Sequence, residues 1–156
     1  MSKKTGKKYK PKYPNCYTNP VQIALNKVKT FDQNLQVDLT LPVRIVTDAF
    51  LNSTANEDDW HTLALVSNVC LVLSENINSE LEAEVKKCQA ALIRVRDRYR
   101  NNKSLTLDAD GRQRVLYIAD LYDELVKVTV PDTLKNALNE VNRRMRIGQT
   151  LETGDV

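Results

Sequence analysis

The chain has 156 residues, a mass of 17.8 kDa and 42% hydrophobic residues, which is the length of one domain with enough apolar material for a core and excludes wholesale disorder. Four Gly and five Pro are too few for a turn-rich sandwich or barrel, three Cys cannot form a disulfide framework, and a single His excludes a multi-His metal site. The formal net charge of +3 hides an asymmetry: residues 1–12 hold six Lys and no acid, so removing that +6 leaves −3 for residues 13–156.

The chain opens with Lys3, Lys4, Lys7, Lys8, Lys10 and Lys12, interleaved with Gly6, Tyr9, Pro11, Tyr13 and Pro14. This stretch has no apolar periodicity and its charges repel, so residues 1–18 read as a flexible basic arm, disordered in isolation. Its lysines suit phosphates, and Tyr9 and Tyr13 suit stacking on bases, which makes DNA or RNA a candidate partner; the plain alternative is a solubilising tail. No apolar stretch of signal-peptide length follows the basic start. The longest apolar segment, residues 63–73, is broken by Ser67 and Asn68 and falls short of the ~20 residues that span a bilayer. The expectation is a cytoplasmic protein without a membrane segment, its cysteines reduced.

Residues 19–148 read as a single helical domain and 149–156 as a frayed tail. Asn19-Pro20 can open a short helix over 20–29, with Val21, Ala24, Leu25 and Val28 as its stripe. Thr40, followed by Leu41-Pro42, predicts a helix over 41–52, with Val43, Val46, Ala49 and Phe50 inward; its β-branched residues keep a strand open as the alternative. Thr54 and Glu57 match a capping box, and Glu57, Asp58 and Asp59 suit the positive end of a helix dipole. That helix runs to Ser74 or Glu75, and its middle, LALVSNVCLVL, is apolar on nearly every face, as in a helix buried by several neighbours.

Asn78-Ser79 restarts the chain as a helix carrying Leu81, Val85, Cys88, Leu92, Val95 and Tyr99 in a heptad-like stripe, ending near Asn101-Asn102. Thr106 is the expected cap of the next helix, striped by Val115, Ile118, Ala119, Tyr122, Leu125 and Val126; Gly111 marks a late start or a close contact. The last helix begins at Pro131 or Asp132, carries Leu134, Leu138, Val141 and Met145 inward, and stops at Gly148. The fold class is therefore all-α, a compact bundle of four to six helices behind the basic arm, with successive helices antiparallel.

Chemistry is sparse. No Gly-rich phosphate loop, nucleophile elbow or HExxH motif is present. His61 lies near Asp58 and Asp59 without a nucleophile at a useful spacing, so a helix residue beside Trp60 is the simpler reading. Cys70 and Cys88 fall on apolar stripes as small core residues, and Cys16 lies near the arm. No catalytic residue, metal ligand or cofactor is assigned. Trp60 either closes one end of the bundle or anchors a partner. Arg94, Arg98, Arg143 and Arg146 are the remaining partner-surface candidates, although helix C-terminal charge accounts for much of this basicity.

Four motifs occur in one order: KKYKPK in the arm, EDDW opening an apolar helix, a helix ending in RVRDRYR, and a final VNRRMRIGQ. In this the chain resembles a loose group of small helical accessory proteins encoded by phages and prophages, often with a KxKPR-like arm. The resemblance implies an accessory protein of largely undefined activity, located in the host cytoplasm, and it names no catalytic residue. The expectation is a non-enzymatic protein that binds a host or phage protein through its bundle, in one version inhibiting a host defence system. The arm then aids contact with nucleic acid or nucleoprotein. The alternative is a small nucleic-acid-associated regulatory protein whose arm carries most of the affinity. The heptad stripes also permit a homo-oligomer.

Overall fold

Two rows of apolar residues run along the first helix, α1 (Gln33–Leu51), in the computed structural model of the protein, which describes residues 33–151. α1 starts eight residues before the Leu41 start suggested by Thr40 and Pro42. The cause is the row Leu35, Leu39, Val43, Val46 and Phe50, all buried, which makes one core-facing stripe on both sides of Pro42. Thr40 is no cap: its hydroxyl donates to the Gln36 carbonyl at 2.8 Å, back along the helix. Pro42 sits in the helix interior, where it cannot donate to the preceding turn and costs about 3 kcal/mol relative to Ala. Packing of the stripe offsets that cost. The strand alternative for this segment is excluded.

α2 (Glu57–Glu75) ends where its periodicity predicts but is capped two residues later than Thr54. Asn56 is the cap: its side-chain oxygen accepts from the Asp59 amide at 3.1 Å, and its own amide donates to the Asp59 carboxylate at 2.8 Å. The Thr54 hydroxyl instead donates to the Ala49 carbonyl in the last turn of α1. α2 is buried on nearly every face because it packs against α1 and against each of the three helices that follow it.

α3 (Ser79–Asn102) begins at the expected cap, Asn78, whose side chain accepts from the Leu81 amide at 2.7 Å. Val85, Cys88, Leu92 and Val95 of its stripe are buried, while Leu81 and Tyr99 at the two ends are half-buried. The helix closes on Lys103, a non-glycine residue at φ 58, with its ammonium 5.0 Å from the centre of the Tyr99 ring.

α4 (Ala109–Val128) is capped by Asp108 rather than Thr106. The Gly111 amide donates to the Asp108 carboxylate at 2.6 Å. A Cβ on Gly111 would stand 2.9 Å from that same oxygen and 3.3 Å from Leu107 Cδ2, so the close contact is the reason for glycine here. All six residues of the predicted stripe are buried. α5 (Pro131–Arg146) starts on Pro131 and stops as predicted. Gly148 has φ 67, and the amides of Gly148 and Gln149 donate to the Met145 and Arg144 carbonyls at 3.2 and 2.9 Å.

The described residues are all-α, with no strand among them, and they form a compact bundle. Contacts fix its directions. Trp60 reaches Leu92 and Gln89 reaches Asn68, so α2 and α3 are antiparallel. Glu84 pairs with Arg114 and Arg94 with Asp110, so α3 and α4 are antiparallel. Arg44 pairs with Asp120 and Asp123 while Arg112 reaches the Leu51 carbonyl, so α4 runs back along α1. α5 departs from the rule that successive helices pack together: its main neighbour is α2, onto which Leu134, Ala137, Leu138 and Val141 turn.

The chain beyond Gly148 is a second departure. Leu151 is buried, its carbonyl accepts from Asn68 Nδ2 at 3.1 Å, and its amide donates to Asn68 Oδ1 at 3.3 Å. Residues 149–151 are therefore not a frayed tail; a buried polar side chain on α2 holds them. The predicted helix over 20–29, the arm 1–18 and residues 152–156 lie outside the described residues.

Candidate functional site

The strongest sequence candidates, Lys3, Lys4, Lys7, Lys8, Lys10, Lys12, Tyr9 and Tyr13, lie outside the described residues, as does Cys16. The remaining candidates are on the bundle, and the structure separates them.

Trp60 is fully buried, so it offers no surface to a partner. Its Nε1–H donates to the Leu92 carbonyl at 3.0 Å, which satisfies the one polar atom of the indole inside the core. Of its two sequence readings, burial favours the structural one, a residue that joins α2 to α3. His61 beside it is also buried, its ring edge-on to the indole at 5.4 Å. Burial disfavours its charged form and lowers its pKa, against the pull of Asp58 and Glu57.

The arginine candidates are on the surface but mostly matched by acids of the same chain. Arg94 pairs with Asp110 at 2.5 Å, and Arg98 reaches Asp108 at 3.5 Å. Arg143 grips both oxygens of Glu140, each at 2.7 Å. Arg144, which lies in the same basic cluster but was not among the partner-surface candidates, is the most engaged of the group. It forks onto Glu75 at 2.6 and 2.7 Å and also reaches Glu140, tying the ends of α2 and α5 together. These guanidiniums hold the Glu140 carboxyl at about 2, with Arg143 the larger cause, and Arg144 holds Glu75 below the usual carboxylate range. Arg146 is exposed in the last turn of α5. The four candidates do not converge on one site: Arg94 and Arg98 sit where α3 meets α4, and Arg143 and Arg146 sit at the end of α5.

The structure does gather one set of residues that sequence reading left apart. An open cleft lies between the start of α2 and the end of α3, lined by Ala55, Asn56, Glu57, Asp58, Tyr99, Lys103 and Leu105. It joins the EDDW and RVRDRYR motifs, forty residues apart in sequence. The Tyr99 hydroxyl donates to the Glu57 carboxylate, and this contact pushes the tyrosine pKa up. The Glu57 and Asp58 carboxylates and the Lys103 ammonium give the cleft lining charges of both signs.

The thiols of Cys70 and Cys88 are buried in the core, where burial pushes Cys88 up to about 11 and Cys70 higher still. They are packing residues with little thiolate. Among the described residues no group of three or more His, Cys, Asp or Glu is arranged to hold a metal ion, and no helix is long and apolar enough to cross a membrane.

A further surface escaped the sequence reading. Val37, Leu41 and Ile45 stand exposed on α1, opposite its buried row. The four-residue spacing was the available signal, and the late start assigned to this helix concealed it. No family model, curated protein or solved structure matches the chain.

Proposed function

We propose that this is a non-enzymatic binding protein whose helical bundle engages a protein partner and whose Lys-rich arm adds contact with nucleic acid or nucleoprotein. One observation carries the reading, the segregation of charge. Six lysines stand unopposed in residues 1–12, whereas Arg94, Arg98 and Arg143 on the bundle are each matched by an acid of the same chain. Phosphate binding is driven by cations that release counterions, and cations already paired contribute less to it. The arm is thus the densest run of positive charge in the sequence, and the bundle is a folded, mildly acidic body suited to oriented association.

The same observation favours the second reading, in which the arm carries most of the affinity and the bundle mainly presents it. Inhibition of a host defence system, the most specific version of the first reading, rests on the resemblance to phage accessory proteins alone.

The two are separated by two full-length variants. One carries Gln in place of Lys3, Lys4, Lys7, Lys8, Lys10 and Lys12; the other carries Arg94→Ala and Arg98→Ala. Nucleic-acid binding is measured at low salt for both. Loss in the first variant and retention in the second supports the arm. The opposite pattern moves the nucleic-acid contact to the bundle and refutes the assignment. A protein partner that survives in complex with the Gln variant supports the bundle-centred reading, and its loss supports the arm-centred one.

A further inference from the structure

Val37, Leu41 and Ile45 of α1 are 55%, 52% and 59% exposed, and they follow one another at four-residue steps on the side of the helix opposite its buried row. Exposed Asn34 and Asp48 continue the line at three-residue steps to either end. From Val37 to Ile45 the row is about 12 Å long, at 1.5 Å per residue. Side chains at four-residue steps form a ridge, and such a ridge packs into the groove of a second helix. An extended peptide would need a sheet edge to pair with, and the described residues contain no strand.

The charge around the row selects the occupant. Asp38 and Asp48 flank it, and Arg44, the one cation of α1, is held by Asp120 at 2.7 Å and by Asp123. Asp120 keeps 66% of its side chain exposed. Past Asp48, Arg112 reaches the Leu51 carbonyl at 3.1 Å. The rim thus holds four carboxylates against two guanidiniums, a net of −2. Lys127 and Glu124 on α4 pair with each other and cancel. A second copy of the chain is a poor occupant, because it sets the same acidic rim against this one. Three half-exposed side chains also fall well short of the ~800 Å² per partner that a stable interface buries.

We infer that the outer face of α1 takes one amphipathic helix of a partner protein, with apolar residues at three- and four-residue steps and Lys or Arg on its flanks. This rests on the reading that the bundle engages a protein partner, and it names the surface and the chemistry that surface takes.

The test is a fluorescence anisotropy titration of the full-length protein with two labelled peptides of about 18 residues, long enough to hold a helix. Both carry Leu at three- and four-residue steps in an Ala-rich background; one has Lys on its flanks and the other Glu. The Lys peptide is expected to bind about tenfold more tightly than the Glu peptide. Leu41→Asp weakens it by about tenfold or more, while Ile77→Asp, at an exposed apolar residue between α2 and α3, leaves it unchanged. Asp38→Lys combined with Asp48→Lys turns the rim from −2 to +2 and reverses the preference between the peptides. Binding that Leu41→Asp leaves intact, or a preference that the double variant leaves unchanged, overturns the inference. Binding of neither peptide also overturns it, and a sedimenting dimer that Leu41→Asp dissociates then gives the face to a second copy. If the inference alone fails, a protein partner still binds the variant whose six arm lysines are Gln; if the underlying reading fails, that complex is lost as well.

Discussion

Replacing Asn68 by Ala tests how the C-terminal segment is held. Asn68 is buried on α2, and its amide group bridges three partners: the Leu151 carbonyl at 3.1 Å, the Leu151 amide at 3.3 Å and Gln89 Nε2 at 2.9 Å. Without it, the half-buried Gln89 can turn to water, but the Leu151 backbone loses both side-chain partners in a buried site. Each unsatisfied buried group costs about 1–3 kcal/mol. Two such costs, about 4 kcal/mol at mid-range, outweigh the roughly 2 kcal/mol at mid-range that burying the Leu151 side chain contributes, so the segment is expected to release rather than stay unsatisfied. The loss is capped by what the docked segment was contributing, about 2–3 kcal/mol. Denaturant unfolding of the full chain reads it. Leu151→Gly alone is expected to lose a similar amount, and the double variant little more than either one, because both remove the same docking. A loss below about 0.5 kcal/mol for Asn68→Ala, or additive effects in the double variant, refutes the reasoning.

Two further predictions follow from features of single helices. Pro42→Ala restores a backbone donor within α1 and is expected to raise stability by about 1–3 kcal/mol in chemical denaturation; a loss of stability means that the ring's packing outweighs its backbone cost. Glu140 and Glu75 are held below their unfolded pKa values by arginines, so their contribution is fully present above the ordinary carboxylate range and is lost as pH falls toward about 2. Unfolding curves between pH 6 and pH 2 should therefore show a decline that is shallower in Glu140→Gln; an equal decline in both proteins contradicts the role given to these pairs.

What was legible in the sequence was local. The stripes of α3, α4 and α5 follow a helical period, and the start and stop signals at Asn78, Pro131 and Gly148 act on residues within one turn of themselves. The misplaced starts share a cause. Thr54 precedes Asn56, and Thr106 precedes Asp108, so two residues able to cap lie within a few positions, and in each case the later one accepts from the helix amide. At α1 the Thr40–Pro42 pair imitates a helix start, yet a core stripe continuous from Leu35 carries the helix through it. The surface was harder to read because its charges are settled by residues distant in sequence. Arg94 and Arg98 meet Asp110 and Asp108 only after α3 and α4 pack antiparallel, and Trp60 turns inward because the Leu92 carbonyl, thirty-two residues away, accepts its N–H. Asn68 looked like an interruption of an apolar run, and its role depends on Leu151.

The most direct test of the charge argument is the salt dependence of nucleic-acid binding by the full-length protein. If all six arm lysines meet phosphates of duplex DNA, the logarithm of the binding constant falls with the logarithm of salt at a slope of about −5, and of about −4 on a single strand. Substituting the six lysines by Gln should bring that slope close to zero along with the affinity. Absence of binding at low salt, or a slope that the Gln variant leaves unchanged, contradicts the account and assigns the protein's partner contacts to the helical bundle alone.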